Sequence, residues 1–328
     1  MTHPIRVAIA GYGNLGRGVE AALKQNPDMR LVGVFSRRDP ASVSLLDASV
    51  PVYPIAEIAG FQDAVDVMIL CGGSKTDLPE QGPYLAQFFN TVDSFDTHAK
   101  VNEHYAALDQ SAQKCRHVAM LSGGWDPGLF SINRLFGEAI LPEGETYTFW
   151  GKGLSQGHSD AVRRVMGVKK AVQYTLPSEA AMARVRSGEQ PTLSTRDKHT
   201  RECFVVLKEG ADADAVRASI VSMPDYFADY DTVVHFIDEA RFDQEHTSMP
   251  HGGFVIRSGV TGDNSKQTIE YSLALASNPE FTASVLVAYA RAVHRLASAG
   301  EVGAKTVFDI APGLLSPKSP AQLRKELL

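Results

Sequence analysis

An apolar run, Val7-Ala8-Ile9-Ala10, breaks into Gly11-Tyr12-Gly13-Asn14-Leu15-Gly16, and Val19, Ala22 and Leu23 then recur at helical spacing. A second apolar run, Met29-Arg30-Leu31-Val32-Gly33-Val34-Phe35, comes next. The pattern predicts a strand, a glycine turn, a helix and a second strand. Its G-x-G-x-x-G is the form that a dinucleotide needs. Gly11 permits the tight turn, Gly13 lets the backbone approach a pyrophosphate, and Gly16 lets the helix pack closely on the strand. The unpaired N–H groups and positive dipole end of the helix then stabilise the phosphates.

Residues 64–71 form a nearly continuous apolar run, as expected of a strand buried on both faces of a parallel sheet. The runs at 88–92 and 118–121 are shorter. All three end in polar or glycine-rich segments: Gly72-Gly73-Ser74, then Asp93-Ser94-Phe95-Asp96, then Ser122-Gly123-Gly124-Trp125-Asp126-Pro127-Gly128. In an open α/β sheet, ligands lie outside the carboxyl ends of the strands, so these loops should face a cofactor and a reacting carbon. From about Pro127 the texture changes. Segments 146–150, 171–175, 203–206, 232–236 and 254–256 look like strands with few long helices between them. Near the end, Asn278-Pro279 reads as an N-cap and first helical residue. Phe281, Val285, Tyr289, Ala292 and Leu296 then recur three or four apart, on a helix expected to return to the first domain.

These patterns predict an α/β chain: a Rossmann-type dinucleotide-binding domain over 1–126, and an α+β domain for the substrate, built on a mixed or antiparallel sheet, over 127–277. A segment over 278–328 is expected to return to the first domain. At 328 residues, two domains are the natural expectation.

The cofactor choice rests on Ser36-Arg37-Arg38 at the end of the second strand. A carboxylate there would accept hydrogen bonds from a ribose but repel a 2′-phosphate. Guanidinium groups hold that phosphate with paired, charge-assisted bonds. The arginines favour NADP over NAD, with a solvated strand-end pair as the plainer reading.

The formal net charge of −6 carries no basic excess, which argues against nucleic acid or an anionic membrane as partner. Cys71, Cys115 and Cys203 are scattered and without a C-x-x-C pair, so neither a disulfide framework nor a zinc site is expected. No metal is expected. The chain enters its first strand without a charged-then-apolar leader, and no run approaches the ~20 apolar residues of a membrane span; a cytoplasmic protein is expected.

Asp93, Asp96 and Asp126 all fall just past predicted strand ends, with the wrong sign for phosphates. An ammonium or iminium on a substrate would supply the missing cation, and a carboxylate beside it could take up a proton as water attacks. Each Asp could equally cap a turn. Further on, residues 150–160 and Met249-Pro250-His251-Gly252-Gly253 have the glycine density of backbone that closes around a small ligand. A lone His158 or His251 is more often structural. No H-E-x-x-H, G-x-S-x-G or G-x-x-x-x-G-K-[ST] occurs, so zinc hydrolysis, triad chemistry and P-loop phosphoryl transfer lack support.

Longer stretches add a resemblance that spans essentially the whole chain. Val7 through Gly16, Phe35-Ser36-Arg37-Arg38, Thr91-Val92-Asp93, Gly124-Trp125-Asp126-Pro127-Gly128, Phe149-Trp150-Gly151, residues 153–160, residues 171–178, Met223-Pro224-Asp225-Tyr226 and Met249-Pro250-His251-Gly252-Gly253 resemble the meso-diaminopimelate dehydrogenase family. The resemblance implies NADP-dependent oxidative deamination of meso-2,6-diaminopimelate at its D-centre, giving L-2-amino-6-oxopimelate, ammonium and NADPH in lysine biosynthesis, by a homodimer. It places cofactor contacts on Tyr12, Gly13, Asn14 and Leu15, on Ser36, Arg37 and Arg38, and on Cys71, Gly72, Gly73 and Ser74. Further ones fall on Ser94, Phe95 and Asp96 and on Gly123, Gly124, Trp125, Asp126 and Pro127.

It places substrate contacts on Asp96, Asp126, Trp150, Thr175, Arg201, His251 and Asn278, with Asp96 and Asp126 as the catalytic pair. Such a substrate carries an ammonium and a carboxylate at each end, so a selective site needs receivers of both signs at two separated points. Arg201, Thr175 and His251 suit the distant carboxylate. Asp96 and Asp126 suit the ammonium beside the nicotinamide, and Asn278 could contact substrate or cap its helix. Two rival readings are a sugar or inositol dehydrogenase of similar layout and a non-catalytic NADP sensor. The former usually shows Glu-Lys-Pro after its fifth strand, where this chain has Thr91-Val92-Asp93-Ser94.

Overall fold

The computed structural model describes residues 3–328, and the chain divides into two units, Met1–Ile132 with Pro279–Leu328, and Asn133–Asn278. The first is built on seven strands: β1 (Ile5–Ala10), β2 (Met29–Ser36), β3 (Val52–Pro54), β4 (Val67–Leu70), β5 (Asn90–Asp93), β6 (Val118–Met120) and, from the end of the chain, β14 (Gly303–Lys305). They are parallel throughout, in the order β14-β6-β5-β4-β1-β2-β3. Strand order reverses at β1, which has β2 on one side and β4 on the other, so the crevice beyond Ala10 is the topological switch point.

Period-two alternation explains why these strands are apolar along their whole length. Val7, Ile9, Val67 and Ile69 pack into one core with helix Asn278–Ser298 (Ala283, Leu286, Tyr289, Val293) and helix α1 (Asn14–Lys24). Ala8, Ala10, Met68 and Leu70 enter a second core on the other face with Phe35, Leu78, Leu85 and Phe95. Both faces are covered, as a parallel sheet requires. From Pro279 onward the C-terminal helix belongs to the first unit. The strands expected over 64–71, 88–92 and 118–121 are all shorter than their apolar runs, the last by Leu121 alone. Ala64 closes a 3₁₀ segment, and Phe88 and Phe89 belong to the turn after helix α2 (Leu78–Leu85). Asp93 is the last residue of β5.

Helix α3 (Val101–Cys115) precedes β6, and helix α4 (Leu129–Ile140) carries the chain into the second unit. There β7 (Gly144–Trp150), β12 (His251–Thr261) and β13 (Ser265–Leu275) make an antiparallel sheet in the order β13-β12-β7. A second sheet of this unit, β11-β10-β9-β8, is mixed. It contains β8 (Gly153–Leu154), β9 (Val168–Pro177), β10 (His199–Leu207) and β11 (Asp231–Phe236), of which β10 and β11 run parallel. Helix α5 (Gln156–Arg163) contributes Val162 to the core beneath it, with Ala171, Cys203, Val205 and Phe227. The fold is therefore α/β with a separate α+β unit, as the patterning predicts. No helix of the described residues is long and apolar enough to cross a membrane.

Candidate active site

All the loops that the sequence points to in the first unit lie at the carboxyl edge of its sheet. Strand register aligns Ala10 with Leu70 and Phe35, and Leu70 with Asp93. Gly11, Ser36, Cys71 and Ser94 therefore all leave the sheet on one side. The glycine turn has the shape that a nucleotide requires. Gly11 sits at φ +92°, and a Cβ at Gly16 would overlap the Gly11 carbonyl oxygen. A Cβ at Gly13 would meet nothing within 4 Å, so the backbone there is open to close approach. Helix α1 begins with no side-chain cap and no acidic residue in its first turn, which leaves its positive end to an anion.

The basic residues after β2 are anchored rather than adrift. Arg38 donates from Nη2 to the Tyr12 carbonyl, and its own N–H donates to Ser36 Oγ at 3.0 Å. Arg37 makes a two-pronged pair with Asp77 at 2.9 and 3.1 Å, while Asp77 also accepts the Gly73 N–H at 2.8 Å. The Arg37 side chain is exposed, so this pair is weak and leaves the guanidinium available to a phosphate. Exchanging Arg37 and Arg38 together for neutral residues should weaken NADP binding about tenfold to a hundredfold, the worth of about 1.5–3 kcal/mol for hydrogen bonds to a charged group. NAD binding should hardly change. Titration calorimetry with both nucleotides checks this, and an unchanged NADP/NAD ratio refutes the role.

Asp96 is exposed, and its N–H is held by Ser74 Oγ at 2.9 Å, which itself lies 3.1 Å from Thr97 Oγ1. Asp126 is half-buried in the segment after β6. Trp125 is buried with its ring edge-on to Phe130, and Phe95 points into the core, so both side chains support their loops. Asp93 differs from the other two acids. It is 1% exposed, accepts the Phe95 and Ser122 N–H groups at 2.9 and 3.1 Å, and faces His104 at 3.0 Å. The expectation of a third acid at the substrate is corrected to a turn-holding role, since its oxygens are committed inside the protein. Burial holds the Cys71 thiol protonated, and pushes that of Cys203 up to about 12, so neither is a nucleophile at neutral pH.

In the second unit the two sheets converge where β8 and β9 approach β12. The Gly151 N–H donates to the Gly252 carbonyl and the Leu154 N–H to the Pro250 carbonyl, each at 2.9 Å. The His251 ring lies flush on Gly153, where any Cβ would collide with it, and Gly153 is paired in register with Thr175. Thr175 is opposite Arg201 on the neighbouring strand, and Arg201 Nη1 donates to Thr175 Oγ1. Thr175, Arg201 and His251 are thus brought into one cluster. Trp150, at the end of β7, joins its edge: its N–H donates to His199 Nε2 at 2.8 Å and its indole stacks on that ring at 5.3 Å. Asn278 opens the C-terminal helix with its N–H on the Met249 carbonyl at 2.9 Å.

Arg201 is 7% exposed, its guanidinium lies over the Tyr230 ring at 3.9 Å, and its Nε has no hydrogen-bond partner. Among the described residues no carboxylate pairs with it. Burial pulls its pKa below the usual arginine range, which marks an uncompensated cation. An anion supplied from outside would satisfy it. His158 and His199 feel the same charge: burial first, then Arg201, pushes each down to about 4. His158 is held by Ser155 Oγ at 2.8 Å and lies edge-on to Tyr226 and Phe227, so it is a neutral structural residue.

Both histidines couple stability to pH. The unfolded chain protonates them near 6.5, the folded one near 4, so between those values the unfolded state binds more protons. Their contribution to stability is fully present above about pH 6.5 and is lost as pH falls to about 4. Thermal melts across that window should show a falling midpoint, with a shallower fall in His199→Gln than in the parent. Parallel curves would show that His199 does not titrate as argued.

Tyr230, His199 and Gln173 escape a reading of the sequence alone. Gln173 is fully buried two positions before Thr175, with its Nε2 3.5 Å from Thr175 Oγ1. The available signal is polar residues on the inward face of alternating strands: His199 and Arg201 beside Cys203 and Val205, Gln173 and Thr175 beside Ala171.

The chain matches known proteins along essentially its whole length. Residues 124–277 match the model of the diaminopimelic acid dehydrogenase C-terminal domain. The meso-diaminopimelate D-dehydrogenase of Lysinibacillus sphaericus is 67% identical across 99% of both chains. The structure of the Corynebacterium glutamicum DAP dehydrogenase in complex with DAP superposes with a TM-score of 0.90 at 50% identity, covering 100% of both chains. An engineered D-amino acid dehydrogenase bound to NADP+ gives 0.85 at 49% identity, covering 99% of this chain and 100% of that one. The sugar-dehydrogenase and sensor readings give way, and the chain belongs to the meso-diaminopimelate D-dehydrogenase family.

Proposed function

We propose that this chain catalyses the reversible, NADP-dependent oxidative deamination of meso-2,6-diaminopimelate at its D-centre, in lysine biosynthesis. The observation that carries the reading is Arg201, a buried guanidinium with an orphan Nε and Thr175 beside it, in a chain whose other conspicuous site residues are acids. That division suits a molecule with a carboxylate at its far end and an ammonium at the reacting end.

Bound NADP supplies the hydride acceptor. Asp96 and Asp126 receive the ammonium of the D-centre and orient its carbon; one nitrogen proton passes to a carboxylate and on to solvent, and as the C–H of the resulting amine leaves as hydride, the charge of the pair stabilises the iminium that forms. Water then adds to the iminium carbon, one of these carboxylates takes its proton and returns it to the nitrogen, and the C–N bond breaks; the hydroxyl proton leaves with the ammonia as ammonium, and the 6-oxo product remains. Arg201, with Thr175 and His251, takes the distant carboxylate, and Trp150 and Asn278 complete the substrate contacts. Uniform grip on that far end sets which molecule reacts rather than how fast its bond breaks.

The assay that tests the reading is NADPH formation with meso-diaminopimelate, run beside the L,L isomer and a panel of sugars. Turnover of the meso compound alone is expected; equal turnover of the L,L isomer contradicts it. We further take the working form to be a cytoplasmic homodimer, which sedimentation equilibrium and fractionation test.

A further inference from the structure

We propose that Asp93 and His104 form a buried positioning pair that fixes the loops carrying Asp96 and Asp126 relative to each other. The proposal rests on the assignment of those two acids to the reacting amine. One oxygen of Asp93 accepts N–H groups from two different loops: that of Phe95, next to Asp96, at 2.9 Å, and that of Ser122, at the head of the segment leading to Asp126, at 3.1 Å. The Asp93 carbonyl takes a third, from Gly123, at 2.8 Å. Ser122 Oγ closes the link by donating to the Phe95 carbonyl at 2.7 Å, with Ser122 itself at φ +57°. A single side chain thus ties both loops together at their bases.

His104 of α3 holds that side chain in place. Its Nε2 lies 3.0 Å from the second Asp93 oxygen, and its ring stacks on Phe95 at 4.2 Å with 20° between planes. An ionised carboxylate only accepts, so Nε2 carries the proton, and the buried Nδ1 is left without a partner. Holding two N–H groups needs only a neutral acceptor. A carboxylate backed by an imidazole, both with side chains 2% exposed, is a costly way to do it, and replacing buried polar pairs by apolar ones is often neutral for stability. What the pair adds is geometry: two acids that must hold one amine are set from one rigid anchor.

His104→Phe keeps the ring stack and removes the donor; His104→Gln restores a donor. A misplacement of about 1 Å costs up to about a hundredfold in rate. For His104→Phe, kcat with meso-diaminopimelate should fall about tenfold to a hundredfold per active site, with NADP dissociation within threefold of the parent, and His104→Gln should recover most of it. In an Asp96→Asn background, His104→Phe should add little, because it acts through that acid. A kcat within twofold of the parent, or full additivity with Asp96→Asn, overturns the proposal even where the parent deaminates normally. If His104→Phe does not fold, Asp93→Asn takes its place: a fall in kcat of about threefold to tenfold supports the pair, and one under twofold overturns it. Failure of the parent itself to turn over meso-diaminopimelate strikes the functional reading instead.

Discussion

Replacing Asp126 with alanine is expected to lower kcat for oxidative deamination by about a hundredfold to ten-thousandfold, the range for a group that takes part in proton transfer at the reacting centre. NADP binding should survive. On the proposed assignment, the nucleotide's phosphates fall to the Gly11 turn, the first turn of α1 and Arg38, which lie on other segments of the chain than Asp126. Asp126→Asn separates two parts of the role: it keeps a side chain of the same shape and removes the charge that stabilises a cationic intermediate. If charge is what matters, the asparagine variant should resemble the alanine one. Steady-state kinetics with nucleotide binding measured alongside checks both, and turnover like the parent's removes Asp126 from the mechanism.

Replacing Arg201 with methionine should leave NADP binding unchanged and raise KM for meso-diaminopimelate far more than it lowers kcat. A buried charge that meets its ionic partner is worth about 2–5 kcal/mol when one side is removed, or roughly thirtyfold to several thousandfold in kcat/KM. Methionine fills similar volume, and the variant should fold at least as well as the parent, because an unpaired buried guanidinium is itself unfavourable. That combination of higher melting temperature and lost substrate affinity is the signature of a side chain held for a ligand. A variant that loses stability as well as affinity would show that Arg201 mainly supports the sheet through Thr175 and Tyr230.

The first unit is largely legible in the chain because its determinants are local. Val7 and Ile9 alternate with Ala8 and Ala10, all apolar, which states that both faces of β1 are covered. The glycine spacing then sets the turn after β1 and the start of α1. Asp93 misleads because residue type at a strand end cannot tell a carboxylate aimed at a ligand from one accepting its own loop. The deciding partner, His104, lies eleven residues away on a helix.

The second unit is less legible. Strand β13 is exposed at most positions, so it carries no apolar stripe to announce it. Arg201 and Thr175 are 26 residues apart and meet only through the register of two antiparallel strands, which no local pattern sets. Their grouping with His251 comes from family resemblance, whereas the physical reason, a glycine that lets the His251 ring lie against β8, appears only in three dimensions.

The most direct test compares kcat/KM for meso-diaminopimelate with that for a D-amino acid whose far end is a plain alkyl chain, in the parent and in Arg201→Met. If the buried guanidinium reads the distant carboxylate, the parent should favour the doubly charged molecule by at least about a hundredfold, within the range for losing one side of a buried charge pair, and the variant should lose most of that preference. An equal preference in both proteins would contradict it.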